Sequence, residues 1–381
     1  MIKREVVVIG GGPAGLSASI EAAKSGAEVL LLDENSRAGG QLFKQIHKFF
    51  GSSAHRSGTR GINIGKELLE EADKSGVEVW LNTTAIGLFK EKKIAARKQV
   101  GLDSQKLEKI QAQKIILATG ASENAISFEG WTMPGVMGAG AAQTMINVNR
   151  VLPGERILMI GSGNVGLIVS YQLLQAGAEV VAIIEAAPEV GGYGVHAAKV
   201  VRAGVPIYTS HTIKKALGNE NNIVNKAIIS KVDKDWNCIA GSEKILNVDT
   251  ITLAAGLKPL IELAMMHGCE TRFLPEMGGW IPLHDENMES SYPGIYIVGD
   301  ASGVEEANTA LEEGKMAGIS AAEKLGYLDK DNANEINNII RKRLSGLRMG
   351  PFGEKRLHAK KKIIDEFYQL KAGSDVNAIR K

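Results

Sequence analysis

Glycines at positions 10, 12 and 15 have the spacing that lets a backbone turn close around an anion. Gly10-x-Gly12-x-x-Gly15 follows the apolar run Val6-Val7-Val8-Ile9 and leads, through Pro13 and Ala14, into a helix expected from Leu16 to Ser25. In such a turn the first glycine permits the tight bend, the second lets a pyrophosphate approach the main chain, and the third lets helix and strand pack closely. The amides and dipole at the helix N-terminus supply the positive end a phosphate needs. The next apolar run, Val29 to Leu32, delivers Asp33 and Glu34. An acid there can bind both hydroxyls of an adenosine ribose, so these residues together describe an adenine dinucleotide site.

The same chemistry is written a second time. Gly161-x-Gly163-x-x-Gly166, enclosing Asn164 and Val165, follows Ile157-Leu158-Met159-Ile160, and the strand Val180 to Ile184 ends in Glu185. A carboxylate at that place favours a free 2′-hydroxyl and repels a 2′-phosphate, so NAD(H) is preferred over NADP(H). Glu185 stands one residue further from its turn than Asp33 does, which leaves its reach to a ribose open. His196, Lys199 and Arg202 follow, and a helical face bordering solvent explains them better than a phosphate contact. A degenerate second site that holds an adenine nucleotide only structurally is the alternative.

Each copy closes with a further buried-looking strand ending in Ala-x-Gly. Ile115 to Gly120 brings Ala118, Thr119 and Gly120 to the first site, and Ile251 to Gly256 brings Ala255 and Gly256 to the second. A third such strand, Ile295 to Val298, ends at Gly299-Asp300 and has no counterpart in the repeat. Asp300 is suited to hydrogen-bond a ribityl chain or phosphate, and a helix then begins near Ala307, Asn308 and Thr309 and carries Gly314 and Gly318. Its N-terminus can stabilise the negative charge that gathers on a flavin during reduction. A ligand that draws on such distant parts of the chain is long, and FAD is the expected occupant of the first site.

The elements that must position these residues define an α/β chain with two Rossmann-like, three-layer dinucleotide-binding domains. The expected bounds are 1–125 and 285–328 for a discontinuous FAD-binding domain, 126–284 for an NAD(P)-binding domain with linkers, and 329–381 for a helical C-terminal tail. Gly135, Gly138 and Gly140 would lie near the first crossing. In the tail, Ile336, Ile339, Ile340, Leu344 and Leu347 recur at helical spacing. A Gly350-Pro351-Phe352-Gly353 break separates them from Leu357, Ile363, Ile364, Phe367 and Leu370, giving two amphipathic helices that pack on the chain itself or dock a partner.

Composition agrees with this architecture. The 381 residues include 44 glycines, well above average usage, and 45 basic against 43 acidic side chains give a net charge of +2. That balance offers no electrostatic case for nucleic acid or an anionic membrane surface. No apolar run is long enough for a signal peptide or a membrane span, so a cytoplasmic protein without membrane insertion is expected. Cys238 and Cys269 are isolated, which leaves no disulfide framework, zinc site or iron-sulfur cluster for this chain to build alone.

From residue 1 to about 328 these features resemble the pyridine nucleotide-disulfide oxidoreductase fold, the glutathione-reductase-like pair of nucleotide domains. The redox cysteine pair of its disulfide reductases is missing, because Gly39-Gly40-Gln41-Leu42-Phe43-Lys44 holds no thiol. The stretch Phe128-Glu129-Gly130-Trp131-Thr132-Met133-Pro134-Gly135-Val136-Met137-Gly138-Ala139-Gly140-Ala141-Ala142-Gln143 is similar to the linker of a narrower family. That family contains the B subunit of hydrogen cyanide synthase, the A subunit of opine oxidase, sarcosine oxidase α and dye-linked proline dehydrogenase α. The resemblance implies a hetero-oligomer in which a second dehydrogenase or electron-transfer subunit oxidises an amine or amino acid, with any iron-sulfur relay on another subunit. It also places Gly40 and Gln41 close to the isoalloxazine, where Gln41 can hydrogen-bond flavin or substrate. His47, Phe49, Phe50, His55 and Arg56 follow, and Gln41 and His47 are the candidate catalytic residues.

The expected function is hydride or electron transfer between FAD and NAD(H) within a larger dehydrogenase. Two alternatives remain: direct oxidation of a small amine, amino acid or hydroxy acid by this flavin, and a non-catalytic nucleotide-loaded assembly subunit.

Overall fold

The computed structural model describes residues 1–350 and 353–379, with side chains as far as 373. Pro351 and Phe352, in the expected glycine-proline break, lie outside the described residues. The chain forms two compact units, Met1–Ser122 with Lys258–Lys381, and Glu123–Leu257.

The first unit is built on runs of consecutive apolar residues, which suit strands covered on both faces. Ile2–Ile9 lies between Val29–Leu32 and Gln105–Leu117, all parallel, with Glu78–Trp80 beyond Val29–Leu32. The long strand Gln105–Leu117 forks: its first half pairs antiparallel with Lys93–Gln99, and its end pairs parallel with Ile295–Ile297. Side chains alternate between two cores. Val6, Val8 and Leu31 face one cluster with Leu16, Ile20, Ala317 and Ala321, whereas Val7, Ile9, Leu30 and Leu32 face another with Ile115, Leu117, Ile295 and Ile297.

Helix Pro13–Lys24 starts three residues ahead of expectation, because the fixed φ of Pro13 suits the first helical position. It packs on Ala307–Leu325 at unusually short range. A Cβ on Gly314 would stand 2.1 Å from the carbonyl oxygen of Ala14, and one on Gly318 would stand 2.4 Å from that of Ala18. Only glycine admits backbones this close.

The second unit holds a parallel sheet in the order Ile207–Thr209, Glu179–Glu185, Arg156–Ile160, Thr250–Leu253, Val136–Gly138. The antiparallel strands His211–Gly218, Val224–Lys231 and Lys244–Asn247 cover one face through Ile213, Ala227 and Ile229.

One boundary and one linker differ from expectation. Residues 258–284 were expected in the second unit, yet they join the first. Ala264 and Cys269 are buried with Ile295 and Ile297, and the hairpin Thr271–Leu274/Gly279–Pro282 packs Leu274 and Ile281 on Ile363 and Phe367 of the helix Glu354–Ile379. The expected linker around Gly135 to Gly140 instead supplies an edge strand and the helix Ala139–Thr144. Of the two courses open to the tail helices, packing on the chain itself or docking a partner, the structure shows the first: Ile340 and Leu344 of helix Lys330–Leu347 belong to the main core of the first unit. These assignments depend on pairing and packing partners far away in the chain, which local periodicity does not carry.

Candidate functional site

The first glycine turn follows Ile9 with a φ of 104° at Gly10, where a Cβ would stand 2.2 Å from Ala118 O. A Cβ on Gly15 would stand 1.8 Å from Gly10 O. Between these tight positions Gly12 is open, and a Cβ there would meet no atom within 4 Å. No side chain caps the helix that begins at Pro13. Open space beside uncapped amides fits the pyrophosphate of a dinucleotide, which accepts hydrogen bonds from such groups.

Asp33 is buried and braces the turn. Its Oδ2 accepts the N–H of Gly11 at 2.7 Å, and its Oδ1 accepts Asn35 N at 2.8 Å and Asn35 Nδ2 at 2.9 Å. Glu34 beside it is exposed. The Gly39-Gly40 pair folds back over the turn: Gly39 N–H donates to Gly11 O at 2.6 Å, and a Cβ on Gly40 would lie 2.8 Å from Gly12 Cα. Gln41 is exposed on the short 3-10 helix Gly40–Lys44 that follows.

The far elements converge on the same end of the sheet. Gly299 presses on Ala14, the first turn of the glycine-turn helix, so that a Cβ on Gly299 would lie 2.8 Å from Ala14 Cβ. Thr119 Oγ1 donates to Leu260 O at 2.5 Å, beyond Ala118 and before Gly120. Asn308 Nδ2 donates to Phe50 O at 3.0 Å, tying the loop that carries His47 to the start of Ala307–Leu325, and Thr309 Oγ1 donates to Glu306 O at 2.6 Å. The His47 and Phe49 rings stack with centroids 6.1 Å apart.

The second turn repeats this construction. A Cβ on Gly161 would stand 2.4 Å from Ala254 O and one on Gly166 2.1 Å from Gly161 O, while Gly163 is open. Glu185 Oε2 accepts Ser162 N at 2.9 Å and Ser162 Oγ at 2.7 Å, and Oε1 accepts Ala187 N at 3.0 Å. Its extra residue of spacing is absorbed by an irregularity between Val180 and Ala182, so that Ile184 pairs with Ile160 as Leu32 pairs with Ile9. Glu185 therefore occupies the place of Asp33. A second glycine pair also folds back, with Gly192 N–H donating to Ser162 O at 2.9 Å and Tyr193 N–H to Asn164 Oδ1 at 2.9 Å. Val165 is exposed on the first turn of helix Asn164–Gln175. Asn124 reaches the closing strand, its N–H donating to Gly256 O at 3.0 Å and its Nδ2 to Ala255 O at 3.4 Å. In the sequence the signal for this pair is its spacing, since Gly191-Gly192 begins six residues after Glu185 as Gly39-Gly40 begins six after Asp33.

The family model of the pyridine nucleotide-disulphide oxidoreductases matches residues 4–314. The chain belongs to that family. Its members are oxidoreductases that bind FAD and NAD(P). The A subunit of opine oxidase from Rhizobium meliloti is 29% identical over 336 residues, covering 85% of this chain and 63% of that relative. The alpha subunit of sarcosine oxidase from Corynebacterium sp. (strain P-1) is 28% identical over 86% of this chain and 33% of its own length. The chain thus spans less than two thirds of either protein. Among solved structures, T. acidophilum thioredoxin reductase superposes with a TM-score of 0.69 over 85% of this chain and 99% of that one, at 18% identity. L-proline dehydrogenase from P. horikoshii gives 0.66 over 91% and 59%, at 24% identity. Both carry the two-nucleotide-domain fold.

Beyond the residues matched to the family, the tail helices bring charges that sequence reasoning missed. Glu313 is buried, and its Oε1 accepts Arg348 Nη2 at 2.6 Å and Lys360 Nζ at 2.8 Å. Burial pushes this carboxyl up, but Lys360 and Arg348 outweigh burial and hold it at about 2. Among the described residues no cation pairs with Asp300. Burial drives it up to about 7 against the pull of the Glu305 amide, and Glu313, Glu305 and Glu306 push the same way as burial. His55 is buried 3.7 Å from Glu312, and desolvation lowers it despite that neighbour. Cys238 is exposed and Cys269 buried, each a free thiol. Among the described residues no helix is long and apolar enough to cross a membrane.

Proposed function

We propose that this oxidoreductase holds FAD at the first glycine turn and NAD(H) at the second, and passes electrons between them as the nucleotide-binding subunit of a multi-component dehydrogenase. The observation that carries the reading is the pair of matching turns, each with one open glycine between two closed ones, each braced by an acid and overlaid by a glycine pair. Two such sites on one chain suit exchange between two redox nucleotides better than storage of one.

In this reading Gly10, Gly12, Pro13, Ala14 and Gly15 receive the FAD pyrophosphate, and Asp33 and Glu34 border its ribose. Gly40, Gln41, Ala118, Thr119 and Gly120 line its path. Gly299, Asp300, Ala307, Asn308 and Thr309 approach the ribityl and flavin end. Gly161, Gly163, Asn164, Val165, Gly166, Glu185, Ala255 and Gly256 do the same for NAD(H). Bound FAD supplies hydride acceptance and donation at its ring, chemistry no side chain offers. The chain orients the cofactor, offers the helix N-terminus at Ala307 to negative charge, and can hold a proton on Asp300 near neutral pH.

The names of the relatives support a subunit role. Opine oxidase, sarcosine oxidase and hydrogen cyanide synthase are each represented by one subunit. The amine or amino acid would be oxidised on a partner, which would also house any iron-sulfur centre.

The test is NADH-dependent dye reduction by purified, FAD-loaded protein. Gly12→Asp should abolish FAD uptake, whereas Gly163→Asp should leave FAD in place and abolish NADH oxidation. Wild-type protein that is full of FAD and inert to NADH would refute the transfer. Anaerobic bleaching by an amine without any partner would instead place substrate oxidation on this chain, near Gln41 and His47.

A further inference from the structure

We propose that the two C-terminal helices clamp the Gly299–Ser302 turn of the first nucleotide site through Glu313, which makes Arg348 and Lys360 positioning residues for that site. The inference rests on the reading above only in naming FAD as the ligand that senses the clamp.

Glu313 stands between two sets of partners. On one side its Oε2 accepts the backbone N–H of Gly299 at 3.0 Å and lies 2.7 Å from Ser302 Oγ. On the other its Oε1 accepts from Arg348 and Lys360. Lys360 reaches past it, donating to Ser302 O and Ser302 Oγ, both at 2.8 Å. Arg348 also holds Glu305 at 2.7 Å, and the Glu305 amide faces Asp300 Oδ1 at 3.4 Å. Every member is deeply placed: Glu313 is 2% exposed, Lys360 3%, Arg348 8% and Ser302 0%.

A buried carboxylate needs compensation, and removing one partner of a buried pair leaves a charge that the interior cannot solvate. Both cations that compensate Glu313 come from beyond residue 314, where the match to the family ends. Without them Glu313 must take up a proton or move toward water, and either change alters the acceptor that fixes the Gly299 amide. Gly299 packs on Ala14 beside the open Gly12, so a shift in this turn is felt where the ligand enters. The tail thus completes the site from outside the nucleotide fold.

The experiment uses full-length protein and two readouts, FAD dissociation by fluorescence titration and hydrogen exchange of the FAD-free protein over 296–305. Lys360→Met should weaken FAD binding about tenfold and speed exchange locally at 299–303. Glu313→Gln combined with Lys360→Met leaves no unpaired charge in the cluster, since Arg348 keeps Glu305, and should recover most of both losses. Ser302→Ala, which removes the hydroxyl's contacts to Gly299, Glu313 and Lys360 but unpairs no charge, should loosen the same amides to a smaller degree and covers the case in which Lys360→Met alone does not fold. Unchanged FAD affinity and unchanged exchange in the folded variants would overturn the clamp, as would exchange that rises equally across the whole chain. If the wild type takes up no FAD, the reading of the first site fails, and the exchange comparison decides the clamp by itself.

Discussion

Ser162 donates both its backbone N–H, at 2.9 Å, and its hydroxyl, at 2.7 Å, to the same oxygen of Glu185. That hydroxyl also accepts the N–H of Gly191 at 3.0 Å, so a single small side chain joins the turn, its acid and the returning glycine pair. Ser162→Ala removes the hydroxyl from both bonds. The expected result is a loss of about 1–2 kcal/mol in urea unfolding and weaker NADH binding by calorimetry, with FAD content unchanged.

The open glycines separate binding from folding. Gly12 has φ −73° and faces free space, so Gly12→Ala is compatible with the native backbone and should melt within a few degrees of the wild type. Its methyl group occupies the approach to the backbone that a pyrophosphate requires. FAD content after gel filtration should fall at least about tenfold, a cost on the order of 1.4 kcal/mol or more in binding. Gly163→Ala should act in the same way on NADH alone.

Gly314 and Gly346 make a contrasting pair. Gly314→Ala drives a methyl into Ala14 O at 2.1 Å and should cost about 1–3 kcal/mol, read as a lower denaturant midpoint. Gly346 is exposed on Lys330–Leu347 with no atom within 4 Å of a Cβ position, and Gly346→Ala should raise stability by about 0.5–1 kcal/mol.

Asp300 and Glu313 predict opposite slopes of stability with pH. Burial raises Asp300 from 3.8 to about 7 in the folded chain, so the fold binds more protons than the unfolded chain between those values. Stability of the FAD-free protein should therefore fall as pH rises through that window, and Asp300→Asn should flatten the decline. Glu313 moves from 4.5 down to about 2 against its burial, under the pull of Lys360 and Arg348. Its contribution is present above 4.5 and is lost as pH falls toward 2, an acid limb that Glu313→Gln should flatten in thermal melts.

Much of the two sites could be read from one dimension, because their requirements are local. A turn that admits a phosphate needs glycine at three nearby positions, and the acid follows at the length of one helix and one strand. Asp33 and Glu185 are found by that rule, but only strand pairing shows that the irregularity at Val180 to Ala182 brings Glu185 level with Asp33. Only the tertiary structure shows that Asp33 and Glu185 also brace their own turns, through Gly11 and Ser162.

The tail was the least legible part. Arg348 and Lys360 belong to residue types that usually face solvent, and the apolar spacing of Ile340, Leu344, Ile363 and Phe367 says that helices pack without saying on what. Residue order alone carries the two glycine turns, their acids and the family, because each depends on residues that are neighbours along the chain. It took the folded chain to show that residues 258–284 and the tail belong to the first unit and that Arg348 and Lys360 meet at Glu313. Burial and ion pairing there join segments that no local spacing relates.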